Sequence, residues 1–140
     1  MANEIHTYNP KKVTIALGNH LVTGYAEDSF VGIQQPQDGV TFKVGCDGEV
    51  VRAISPNESF TVQITVLQTS KTNRWLINKY YQDIEDGNGL FPITIKDILG
   101  ATVFASNQAW VTKLADHGYG LQSNNRQWTI VCGSGKLEQS

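Results

Sequence analysis

The chain has 140 residues, of which 40% are hydrophobic, and its 11 basic and 13 acidic side chains leave a formal net charge of -2. That length suits a single domain burying roughly 68% of its unfolded surface, so a core forms without disulfide staples. No run of like charge is long enough to mark a nucleic-acid patch; the start has no secretion-signal pattern, and no apolar run nears the ~20 residues of a membrane span, so folding in a cytosol is expected.

Residues 1–10 are polar, end at Asn9-Pro10, and read as an N-terminal arm, with the fold starting near Lys12. Val13, Ile15 and Leu17 alternate with Lys12, Thr14 and Ala16, and Gly18-Asn19 then turns the chain into a second strand over His20–Gly24. A third strand is predicted over Phe30–Gln35. Beyond it lie the turn cluster Gln35–Gly39, the segments Phe42–Cys46 and Glu49–Ile54 around Asp47-Gly48, and a second cluster, Ser55–Ser59. Connections of this length are usually functional or disordered, and the apolar residues inside this one point to an ordered, protruding hairpin over residues 35–56.

Phe60, Val62, Ile64 and Val66 alternate with Thr61, Gln63 and Thr65, predicting a strand over Phe60–Gln68 with one face in a core. The period then changes. Leu76, Tyr80 and Ile84 fall four apart with Ile77 and Tyr81 beside them, which predicts a helix over about residues 71–86 with one apolar stripe. Ser70 or Thr72 can cap its start, and Gly87 can end it in the left-handed conformation. Strands are then predicted over Phe91–Asp97, Ala101–Ser106, Ala109–Lys113 and Arg126–Cys132, the last with Trp128, Ile130 and Cys132 on one face. Residues 134–140 have the composition of a flexible tail. The fold class is therefore mainly β, an antiparallel sandwich or barrel with one flanking helix.

Catalytic chemistry is sparse. His6, His20 and His117 lie in separate segments without metal-ligand spacing. Asp28-Ser29, Glu58-Ser59 and Asp116-His117 are neighbours that point to opposite faces of a strand and read better as turn residues. Asp83, Glu85 and Asp86 crowd the C-terminal end of the helix, where they oppose its dipole and suit a solvated acidic patch. Gly133-Ser-Gly-Lys136 lacks the flanking residues of a phosphate loop. Cys46 and Cys132 are read as small buried hydrophobes, with a bridge left open. Trp75, Trp110 and Trp128 suit core or interface positions. No catalytic residue, metal site or cofactor is assigned.

A small β domain with Thr-, Gln- and Asn-rich outer faces has strand edges to cover, and head-to-tail pairing about a rotation axis does so by closing rings. Six stretches carry a resemblance: Tyr8-Asn-Pro-Lys-Lys-Val-Thr14, Gly24-Tyr-Ala before Phe30, Gly45-Cys-Asp-Gly-Glu-Val50, Thr65-Val-Leu-Gln-Thr-Ser70, Phe91-Pro-Ile-Thr-Ile-Lys-Asp97 and Asn125-Arg-Gln-Trp-Thr-Ile-Val-Cys-Gly133. Together, over about Tyr8 to Gly133, the chain resembles the tail tube proteins of contractile-tailed bacteriophages.

The resemblance implies a virion protein that stacks as hexameric rings into the tube inside a contractile sheath. It would have itself, sheath, baseplate or initiator and terminator proteins as partners, with DNA passing non-specifically through the lumen and assembly in the host cytoplasm. It also implies that residues 35–54 reach a neighbouring ring, with Asp38, Lys43, Asp47, Glu49 and Arg52 as inter-subunit charge partners. Inward-facing positions are expected to be acidic or polar, because a basic wall would hold DNA phosphates. The alternatives are a monomeric β-sandwich binding module using Trp75 or Trp110 as a platform, or another tail protein such as a terminator.

Overall fold

The computed structural model describes Ile5 and residues 10–27, 30–97 and 102–138. Apart from Ile5 and Pro10, the expected arm lies outside these residues, as do Ala101 and the last two residues of the expected tail.

The alternating runs become strands. These are β1 (Thr14–Leu17), β2 (His20–Leu21), β3 (Val31–Gln34), β4 (Val40–Val44), β5 (Val50–Ile54), β6 (Phe60–Val66), β7 (Phe91–Lys96), β8 (Thr102–Val111) and β9 (Arg126–Leu137). Seven of them form one antiparallel sheet in the order β2-β1-β7-β8-β9-β6-β3, while β4 and β5 pair only with each other.

The sheet is curled, as the path from β2 to β6 requires. Tyr25 bridges Val66 on the β3 side of β6, six strand spacings from β2 along the sheet order, or roughly 29 Å at about 4.8 Å per spacing. Leu21 and Tyr25 are only four residues apart, a reach of roughly 14 Å. The two edges must therefore approach each other, and the Tyr25 hydroxyl closes the gap by donating to the Val13 carbonyl at 3.4 Å. Inside the curl lies one core containing Ile15, Leu17, Val62, Ile64, Leu76, Ile93, Phe104, Trp128, Ile130 and Cys132, each with no exposed surface. Phe60 and Phe104 meet edge to face across it at 5.3 Å.

Helix α1 (Thr72–Asp86) packs over this core with its first two turns, where Thr72, Asn73 and Leu76 are buried. It ends at Gly87, whose φ is 76° and whose N–H donates to the Asp83 carbonyl at 2.9 Å. The N-terminal cap differs from expectation. Lys71 occupies the cap position without a side-chain cap bond, and the Ser70 hydroxyl accepts the Thr72 N–H at 3.2 Å. Thr72 is instead a buried bridge: its hydroxyl accepts the Thr23 N–H at 3.3 Å and lies 3.0 Å from His20 Nε2. The predicted stripe also stops early, because Tyr81 and Ile84 are 50% and 66% exposed beyond the turns that cover the core.

Two strand boundaries are corrected. The segments predicted as separate strands around residues 101–106 and 109–113 are one strand, β8, with an irregularity between Ala105 and Gln108. The Ser106 hydroxyl fills that break by accepting the Gln108 N–H at 3.2 Å. Residues 134–137, read as tail, continue β9, pairing Leu137 with Phe104 and Lys136 with Ala105. Glycine is needed there because a Cβ on Gly135 would sit 2.7 Å from the Phe104 ring. Cys132 is buried as expected, but Cys46 is exposed in the β4–β5 turn, where no core lies beneath it; both are free thiols.

Candidate assembly surface

Hairpin β4–β5 is locally well specified. Its base is closed by Ser55 N–H to the Gly39 carbonyl at 2.8 Å and its tip by Gly45 N–H to the Glu49 carbonyl at 2.8 Å. The Asp47 carboxylate accepts the Glu49 N–H at 3.1 Å within that tip. Every residue of both strands is nevertheless exposed, and a two-stranded ribbon alone in water is marginal.

The register sorts its two faces. Val40 opposes Ile54, Phe42 opposes Arg52 and Val44 opposes Val50, so these six share one face; Thr41, Lys43, Val51 and Ala53 share the other. On the first face the five apolar side chains are 51% to 79% exposed, Ile54 most of all, and Arg52 is the sole charge.

The five charged residues singled out from sequence are not brought into one cluster. Asp38 lies in the turn before β4, Asp47 and Glu49 are at the tip, and Lys43 and Arg52 occupy opposite faces. Among the described residues none of the five forms an ion pair, whereas Lys136 pairs with Glu138 at 3.2 Å. Sequence reasoning missed the apolar face. Its signal was there in the matched parity of Val40, Phe42 and Val44 with Val50 and Ile54 across Asp47-Gly48, but such a pattern is ordinarily read as half of a core.

Elsewhere, Tyr81, Ile84 and Leu90 are exposed near the helix end, and Tyr119 and Leu121 in the loop before β9. Trp110 is half-buried, and the other two indoles offer little platform. Trp128 is fully buried, and Trp75 is packed between a stacked His20 at 5.3 Å, the Phe91 edge at 5.0 Å and the Lys79 ammonium at 5.3 Å. Shifted titrations follow burial: it lowers the His20 pKa, raises that of Tyr25 and pushes the Cys132 thiol up to about 11. Among the described residues, no group of three or more His, Cys, Asp or Glu side chains could hold a metal ion, and no helix is long and apolar enough to cross a membrane.

Comparison with known proteins gives this surface a context. The family described as the bacteriophage PhiTE tail tube protein matches residues 12–138. Structural protein ORF10 of Pseudomonas phage KPP10 is 30% identical, over 93% of this chain and 80% of that protein. Among solved structures, a chain of the anti-feeding prophage tube-terminating cap aligns with a TM-score of 0.65 at 10% identity, covering 100% of this chain and 96% of that one. A chain from the sheath/tube terminator of the PVC extracellular contractile injection system in its extended state also gives 0.65 at 10% identity, over 96% and 99%. One from the PVC sheath-tube complex gives the same score and identity over 96% and 93%. At such low identity these structures establish the shared fold.

Proposed function

Because the chain belongs to the bacteriophage PhiTE tail tube protein family, whose members are structural tail proteins and not enzymes, we propose that it is the repeating subunit of the inner tube of a contractile tail. Six copies form a ring, rings stack through the β4–β5 hairpin, and the lumen carries DNA during ejection. Sheath protein surrounds the tube, a baseplate or initiator starts it, a terminator ends it, and assembly takes place in the host cytoplasm.

The observation that carries this reading is the hairpin. A sheet face needs another element against it, and the face built from Val40, Phe42, Val44, Val50 and Ile54 has none within the subunit. A neighbouring subunit supplies it in a stacked tube. Asp47 and Glu49 at the tip and Lys43 on the second face then set register by meeting charges on the neighbouring ring, while Asp38 does so at the base and Arg52 within the apolar face.

A second reading, a tube terminator, is favoured by two structural neighbours that come from a cap and a terminator. Electron microscopy of the purified protein across a concentration series, with its mass in solution, separates the readings. Hollow tubes of uniform width and variable length support the tube subunit. Single rings that never stack support the terminator, and a monomer even with assembled baseplates present contradicts both.

A further inference from the structure

Among the uncovered apolar patches of the described residues, the one at the end of α1 has charge complementary to the hairpin. On α1, Tyr81, Ile84 and Glu85 fall at spacings of three and four and so lie on one face. Tyr81 is 50% and Ile84 66% exposed. The last turn contains no basic residue, so Glu85 and Asp86 add to the negative end of the helix dipole without an internal counter-charge. Lys79, the nearest lysine along the helix, has its ammonium over the Trp75 ring.

The hairpin face is the counterpart: apolar side chains around one cation, Arg52. The two patches remain exposed in the subunit and so do not cover each other. A contact between unlike patches of identical chains is heterologous, and it propagates along a filament when it does not close on itself.

We propose that the apolar hairpin face of one copy docks on the C-terminal half of α1 of a second copy, with Arg52 meeting the Glu85 carboxylate. This rests on the tube-subunit reading and specifies the acceptor for its stacking contact. Phe42 and Ile54 cover Tyr81 and Ile84, and removing that contact from water makes the charge pairing selective against other orientations.

The test deletes the gene from the genome that carries it, supplies variants in trans and images the particles. Wild type restores tubes. Arg52→Glu, at an exposed position, is expected to give folded, soluble protein by circular dichroism but no tubes; combining it with Glu85→Lys is expected to restore them. A photo-crosslinking amino acid at Phe42 in wild-type particles is expected to capture the peptide spanning residues 75–96 of a second copy. Normal tubes with Arg52→Glu alone, failure of the combined variant, or capture only elsewhere overturns the pairing while leaving the tube reading intact. Unchanged tubes after the deletion overturn the tube reading itself.

Discussion

The indole N–H of Trp128 donates to the Asn73 side-chain carbonyl at 2.9 Å, tying the start of β9 to the first turn of α1 inside the core. The Asn73 amide also donates to the Leu67 and Gln68 carbonyls at 3.0 and 3.1 Å, so one side chain satisfies an indole and two backbone groups. Asn73→Ala strips all three of their partner. We expect a loss of about 3 kcal/mol and a melting temperature lower by roughly 10 °C, measured by circular dichroism. Unchanged melting would mean that the helix is not anchored through this residue.

Gly24 has φ of 70°, and a Cβ added to it would lie 2.8 Å from Ser70 Cβ. Ser70 cannot yield cheaply, since its hydroxyl bonds the Thr23 carbonyl and accepts the Thr72 N–H. Gly24→Ala should cost about 2–3 kcal/mol from backbone strain and lost bonds together. Chemical denaturation reads this as a lower midpoint with the slope unchanged.

Burial lowers the pKa of His20 below its usual 6.5, and the ring is stacked on Trp75 with Nε2 beside the Thr72 hydroxyl. The unfolded state therefore takes up a proton more readily than the folded state. Stability from the neutral ring is fully present above pH 6.5 and is lost as pH falls from there towards the lower folded value. His20→Gln should flatten that part of the stability profile between pH 7 and 5; an unaltered slope would assign it to other groups.

Cys46 is exposed and Cys132 is buried with its thiol raised to about 11. At pH 8 the Cys132 thiolate is then only about one part in a thousand. A maleimide should label one thiol per subunit quickly, at Cys46, and the second only after denaturation. In stacked tubes Cys46 should become protected if the hairpin tip meets the next ring.

Much of the fold was legible because local and tertiary signals agreed. Phe60 to Val66 and Arg126 to Cys132 alternate in sequence and pair in register across β6 and β9, and Gly87 ends the helix as its chemistry predicts. Failures came where a distant partner set the local structure. Gly133 to Leu137 have a tail's composition, yet β8 recruits them into β9 because Phe104 lies over Gly135. Ser106 bridges an irregularity that resembles a strand break in sequence. At the candidate surface, charge drew attention to Lys43 and Arg52, while the exposure of Phe42 and Ile54 could not be read because periodicity does not say whether a core lies beneath.

A cryo-electron microscopy reconstruction of the assembled particle tests the central claim most directly. The account predicts a ring of six subunits, with Val40, Phe42, Val44, Val50 and Ile54 buried against the adjacent ring. A ring in which residues 40–54 remain in solvent, with stacking carried by other elements, would contradict it.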